Sequence, residues 1–108
     1  MSTILDTIVA AKKKEVEQLK PLSSIARFEK NGFFWNFSNR SLRQNLQAEG
    51  STGIIAEFKR KSPSKGWFVD KDMEVEPVVV PYNKYGAAAI SVLTDKEFFG
   101  GDLDDLIQ

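Results

Sequence analysis

Between Ser2 and Lys20 the apolar residues Ile4, Leu5, Ile8, Val9, Val16 and Leu19 recur at helical spacing, with lysines and glutamates on the other side. That period predicts an amphipathic helix. Thr3, followed three residues later by Asp6, forms a capping-box pair with Asp in place of the usual Glu, and Pro21 marks the stop. A short helix is predicted next, from Ser23 or Ser24 to Lys30, with Asn31-Gly32 as a left-handed cap. The aromatic run Phe33-Phe34-Trp35-Asn36-Phe37 follows. Such a cluster can line a binding groove or stack bases, but more commonly it plugs the edge of a core. Ser38 or Asn39 then caps a helix through Ala48, with Leu42 and Leu46 on one face and Gly50 and Gly53 bracketing its end.

The pattern changes at Ile54. Ile54-Ile55-Ala56-Glu57-Phe58-Lys59-Arg60-Lys61 starts as an apolar, β-prone run and ends in charges, followed by a turn over Ser62-Pro63-Ser64-Lys65-Gly66. Strand alternation points Glu57 and Lys59 one way and Ala56 and Phe58 the other. Trp67 to Asp72 reads as a loop with a short extended piece. A helix begins near Glu76 or Pro77 and ends at Gly86. Pro81 either falls in the first turn of a helix starting at Val79 or Val80, or kinks a longer one. Ala87 to Leu93 is apolar without polar alternation, which suits a strand buried on both faces. After the polar and aromatic loop Thr94 to Gly101, Asp102 to Ile107 starts a helix with acids in its first turn.

Strand, helix and strand at this spacing predict a right-handed βαβ unit with parallel strands, so the fold class is α/β. Both strands turn polar at their C-terminal ends, where parallel α/β folds bind ligands. Two parallel strands do not satisfy a sheet, and the chain reads as the beginning of a larger domain. Residues 1–50 form an N-terminal helical extension, and residues 51–108 the first βαβ unit with the start of the next helix.

Composition narrows the chemistry. At 108 residues the chain has the size of one small domain. Fifteen basic and fifteen acidic residues cancel, so net charge offers no pull toward nucleic acid or membrane. With no Cys and no His, disulfides, thiolate nucleophiles, the commonest zinc ligands and imidazole acid–base chemistry are all excluded. Catalysis by this chain must use carboxylates, lysines, hydroxyls and backbone dipoles. Asp70, Asp72, Glu74 and Glu76 alternate but lack the glycine and terminal glutamate of a calcium loop, so no metal site is expected. Lys12-Lys13-Lys14 sits beside Glu15 and Glu17 and reads as a solvated helix face. Alternation splits Lys59 and Lys61 from Arg60, against one continuous phosphate or nucleic-acid patch with Lys65. No apolar run approaches the roughly 20 residues that span a bilayer. Asp6 and the lysine triplet interrupt any signal-peptide core, so the chain reads as cytoplasmic.

The segment Ile54 to Ser64, with its Glu-x-Lys and Ser-Pro-Ser at fixed spacing, resembles the signature of the indole-3-glycerol-phosphate synthase family, a TIM (βα)8 barrel of tryptophan biosynthesis. Ile90-Ser91-Val92-Leu93-Thr94-Asp95 with Phe98-Phe99-Gly100-Gly101 resembles the family's next segment, and the lysine-rich first helix resembles its N-terminal extension. The resemblance covers essentially the whole chain. It implies the N-terminal part of a barrel: extra helices, then the first two parallel strands and the helix between them. The implied enzyme is a carboxy-lyase. It converts a phosphorylated anilino-sugar, carboxyphenylamino-deoxyribulose phosphate, to indole-3-glycerol phosphate, carbon dioxide and water, with no cofactor or metal. By position, Glu57 matches the active-site glutamate, and Lys59 the lysine that pairs with it and contacts the substrate carboxylate. Ser62 matches a substrate-contacting residue and Pro63 the proline shaping that loop. Leu93 and Phe99 match apolar residues around the anthranilate ring. Asp95-Lys96-Glu97 and Asp102 depart from the usual loop sequence. The family's lysine after strand three and its phosphate-binding loops have no counterpart here, so the chain alone is expected to be inactive and to need the remainder of the barrel.

A reading from a different class is a non-catalytic binding or self-assembly module. It would use exposed strand edges at Ile54–Phe58 and Ala87–Leu93 and the Phe33–Phe37 cluster.

Overall fold

A computed structural model of the chain describes residues 1–107; Gln108, the last residue of the second predicted segment, lies outside the described residues. The chain divides into two compact units, Met1–Asn39 and Arg40–Gln108.

In the first unit, helix α1 spans Ile4–Leu19 and opens on the predicted capping box. The Asp6 N–H donates to Thr3 Oγ1 at 3.2 Å, and the Thr3 N–H donates to Asp6 Oδ2 at 2.8 Å. The Thr3 backbone donor, with its hydroxyl, holds the Asp6 carboxyl below the usual carboxylate range. Pro21 does not end the helix abruptly. The backbone tightens into a 3-10 turn over Lys20–Leu22 that contains it. Helix α2, Ile25–Asn31, is capped by Ser24, whose Oγ accepts the Arg27 N–H at 3.1 Å.

Two expectations for this unit are corrected. Gly32 is extended, with φ −73° and ψ 113°, and not left-handed. A glycine is required there for space, because a Cβ would stand 2.5 Å from the Phe28 carbonyl oxygen. That carbonyl accepts the Gly32 N–H at 2.7 Å. The aromatic cluster does not plug a core edge either. Hydrogen bonds from Trp35 N–H to Gly32 O and from Phe37 N–H to Phe34 O fold the segment back on itself. Phe33, Phe34 and Phe37 then pack on one another with ring centroids 4.9–5.7 Å apart, and all three stay exposed.

In the second unit, helix α3 spans Leu42–Gln47. Its cap is Ser41 in place of the expected Ser38 or Asn39, because the Ser41 Oγ lies within reach of the Gln44 N–H at 3.1 Å. Strand β1, Ile55–Phe58, is followed by a hairpin of β2, Lys61–Ser62, and β3, Gly66–Trp67, across the Pro63-Ser64-Lys65 turn. The short extended piece expected after Gly66 is thus the return strand of a hairpin. Helix α4, Glu76–Lys84, and strand β4, Ala89–Val92, complete the unit. Pro77 occupies the first turn of α4, while Pro81 lies in its interior and leaves the Pro77 carbonyl without its usual donor. Gly86, at φ 94°, follows the last turn as expected.

The sheet is parallel, as the spacing predicts. Ile55 pairs with Ala89, Ala56 with Ile90, Glu57 with Ser91 and Phe58 with Val92. Donation from Ala88 N–H to Ile54 O and from Leu93 N–H to Phe58 O extends the ladder at both ends. Thr52 Oγ1 donates to Gly86 O at 2.6 Å, tying the approach to β1 to the end of α4. The described residues therefore form a mixed helix and strand chain with a parallel α/β unit.

Only Phe58, Val75 and the ion pair Arg60–Asp105 reach deep burial among the described side chains of this unit. The strands are not buried on both faces: Ile54 and Ile55 are about half exposed and Ile90 is 38% exposed. One crossover helix can cover only one face of a two-stranded sheet. The segment after Asp102 is also corrected. It forms a 3-10 turn over Leu103–Leu106 and not an α-helical start, with Asp102 and Asp105 closing a capping box around it. Among the described residues no helix is long and apolar enough to cross a membrane.

The loop after β4 packs tightly against that strand's end. A Cβ on the buried Gly101 would stand 1.9 Å from the Leu93 carbonyl oxygen. Because the obstacle is backbone, Gly101→Ala is expected to cost about 3 kcal/mol, read as a lower urea midpoint. Gly53→Ala, where a Cβ meets open space but φ is 65°, should cost about 1 kcal/mol. Equal midpoints for the two variants would refute the close approach.

Candidate active site

Alternation in β1 sends Phe58 into the core, 3% exposed, and Glu57 and Lys59 to the opposite face. There Lys59 Nζ lies 3.4 Å from Glu57 Oε1, with the two side chains 35% and 43% exposed. A half-exposed ion pair of this kind contributes only about 0–1 kcal/mol to stability. Its consequence is chemical: a carboxylate and an ammonium stand side by side at the carboxyl end of the sheet. Lys59 Nζ also lies 5.8 Å from the Phe99 ring centroid, within cation–π range. The other Glu57 oxygen, Oε2, accepts a hydrogen bond from Ser91 Oγ at 3.1 Å. Ser91 reaches it because the parallel register sets these two residues opposite each other.

None of the remaining predicted site residues hydrogen-bonds to this pair in the contacts described. Ser62 lies in β2, and its Oγ accepts the Lys65 N–H at 3.2 Å and sits 3.4 Å from Ser64 Oγ, so its described bonds serve its own turn. Pro63 is exposed in that turn. Leu93 is half-buried at the end of β4. Phe99 is half-buried, and its carbonyl accepts the Lys61 N–H at 3.3 Å, which joins the loop after β4 to the start of β2. The structure thus brings Glu57, Lys59, Phe99 and Ser91 together, and holds Ser62, Pro63 and Leu93 on adjoining segments.

Two further groups shape this end of the unit. Arg60, 6% exposed, continues the inward face of Ala56 and Phe58. Its Nη2 lies 2.9 Å from Asp105 Oδ1, its Nε donates to Asp105 Oδ2 at 3.4 Å, and its Nη1 donates to the carbonyls of Lys71 and Met73. Its guanidinium also lies 5.1 Å from the Phe58 ring centroid. So buried and so paired, Arg60 belongs to no surface cationic patch. Trp67 covers Gly100, where a Cβ would fall 2.7 Å from the indole, and Lys61 Nζ lies 5.1 Å from that ring's centroid. At the rim, Asp102 is held below the usual carboxylate range by the Asp104 backbone N–H and then by Lys96, 2.7 Å away; the same hydrogen bond raises Lys96.

Spacing alone did not single out Ser91, Arg60 or Asp105. The available signals were a lone hydroxyl in an apolar strand and an arginine in phase with the buried Phe58. Among the described residues no group of three or more Asp and Glu side chains stands close enough to hold a metal ion. A cleft of about 580 Å3, bordered by Arg40, Asn45, Asn83 and Ile90, lies at the amino ends of the strands, away from Glu57.

A parallel βαβ unit with a carboxylate–ammonium pair at the carboxyl ends of its strands defines the class: a partial α/β chain with parallel strands, whose carboxyl end is where such folds bind ligands. The family model described as indole-3-glycerol phosphate synthase matches residues 5–108. The chain is similar to proteins of that name from Bacteroides thetaiotaomicron, 43% identical over 98% of this chain and 40% of the relative, and from Desulfotalea psychrophila, 43% identical over 100% and 41%. It is equally similar to the one from Thermoanaerobacter pseudethanolicus, 43% identical over 92% of this chain and 36% of the relative. The chain belongs to the indole-3-glycerol phosphate synthase family, and it spans about two fifths of the length of these curated relatives.

Proposed function

We propose that this chain supplies the first wall of the active site of an indole-3-glycerol-phosphate synthase. That enzyme cyclises carboxyphenylamino-deoxyribulose phosphate, with loss of carbon dioxide and water, in tryptophan biosynthesis. The observation that carries the reading is the Glu57–Lys59 pair, 3.4 Å apart at the carboxyl end of paired parallel strands, within a chain matched by the family from residue 5 onward. In this reading the barrel is a TIM (βα)8 barrel, residues 1–50 are its N-terminal extension and residues 51–108 its first βαβ unit. Its place is the cytoplasm.

The chemistry agrees with the residue types. Ring closure needs an acid to help the substrate carbonyl oxygen become a hydroxyl, and the later dehydration needs an acid and a base. Lys59 faces the substrate carboxylate. Phe99, already against the Lys59 ammonium, and Leu93 give the aromatic ring an apolar wall, and Ser62 and Pro63 shape the adjoining loop.

The test mixes the purified chain with the remaining three fifths of the Bacteroides thetaiotaomicron relative and follows indole-3-glycerol phosphate formation by fluorescence. The chain alone is expected to be inactive and the mixture active. Turnover by the chain alone would show that the rest of a barrel is dispensable, and a silent mixture would remove the synthase reading. The exposed Ile54, Ile55 and Phe33 side chains support the second reading, assembly through apolar surface. A compact monomer in sedimentation of the same chain would remove it.

A further inference from the structure

Glu57 is held by two groups of different origin. Lys59 follows directly on the end of its own strand, and Ser91 comes from the neighbouring one. At 43% exposure and with three rotatable side-chain bonds, the glutamate is not oriented by packing. Lys59 restrains only Oε1, through a long, flexible stem and a 3.4 Å contact open to solvent screening. Ser91 differs on both counts. Its side chain has one rotor and little entropy to lose. Its backbone is set by the β1–β4 register and by the Leu93 to Phe58 hydrogen bond just beyond it. A hydroxyl that donates to Oε2 while an ammonium lies at Oε1 fixes the plane of the carboxylate, because each oxygen then has its own tether.

We propose that Ser91 is a positioning residue for Glu57: its hydroxyl sets the orientation of the carboxylate on the face shared with Lys59 and Phe99. This role rests on the reading of Glu57 as an acid–base group. Threonine can supply the same hydroxyl and is favoured in strands, whereas alanine cannot donate.

Two measurements test it, with Ser91→Ala and Ser91→Thr. In the 108-residue chain, three-bond couplings report the Glu57 rotamer. One rotamer should dominate with Ser91 and with Ser91→Thr, and the couplings should average in Ser91→Ala. In the mixture with the rest of a relative, Ser91→Ala should lower kcat about tenfold with KM within about twofold, as expected when an acid–base group is misaligned and not removed. Ser91→Thr should recover most of the loss. Glu57 couplings unchanged in Ser91→Ala, or an equal loss of kcat in both variants, would overturn the role. A mixture already silent with Ser91 in place would instead overturn the synthase reading, while the couplings still decide whether the hydroxyl orients Glu57.

Discussion

Asp105→Ala should destabilise the second unit by about 3–5 kcal/mol. The substitution removes little apolar surface, so the loss comes from what it strands. Arg60 is 6% exposed, and its guanidinium faces Asp105 through two of its nitrogens. With the carboxylate gone, only the Lys71 and Met73 carbonyls remain as described hydrogen-bond partners of a charge that is 6% exposed. Small domains hold about 5–15 kcal/mol in total. Here the deeply buried apolar side chains are Phe58 and Val75, so the expected loss is a large share of the whole. Urea denaturation reads it directly as a lower midpoint. Replacing both partners, as in Arg60→Met with Asp105→Leu, should recover most of the stability apart from the lost Asp102 N–H cap, because an apolar pair leaves no stranded charge. A fall below about 1 kcal/mol for Asp105→Ala would mean that the pair is wetter than its burial implies.

Glu57→Gln should lower kcat/KM of the mixed barrel by on the order of 10²–10⁴, the usual contribution of a positioned acid–base group. Stability should change by no more than about 1 kcal/mol, because the Glu57–Lys59 pair is half exposed. Glutamine keeps an oxygen able to accept from Ser91 and is nearly isosteric, so the variant separates proton exchange from shape. The readout is steady-state turnover alongside urea denaturation of the same preparation. A loss of less than about tenfold in a fully folded variant would remove Glu57 from the acid–base role.

These two predictions draw on interactions of different legibility. Glu57 and Lys59 lie two residues apart at the end of one extended run, and alternation alone puts them on one face. Thr3 and Asp6 cap α1 as their spacing predicts, because every atom involved lies within one helical turn. Arg60 and Asp105 are 45 residues apart, and Ser91 and Glu57 are 34 apart. No local rule connects such residues. The aromatic run misled for a related reason: its composition favours burial, but its turns fold Phe33, Phe34 and Phe37 onto one another and leave them exposed. Gly32 was legible as a helix end but not as an extended one, since its requirement is the nearness of the Phe28 carbonyl.

The sequence by itself determined the N-terminal cap and period of α1, the parallel strand–helix–strand order and the family, through the Glu57-x-Lys59 and Ser62-Pro63-Ser64 signature. Each depends on residue types at short, fixed spacing, where the backbone's own geometry supplies the third dimension. Tertiary structure decided which strand residue meets Glu57, where the Arg60 charge is neutralised, and that the segment after Gly66 returns to pair with Lys61 and Ser62. Those outcomes depend on register and loop closure, and a shift of one residue in β4 would turn Ser91 to the other face of the sheet.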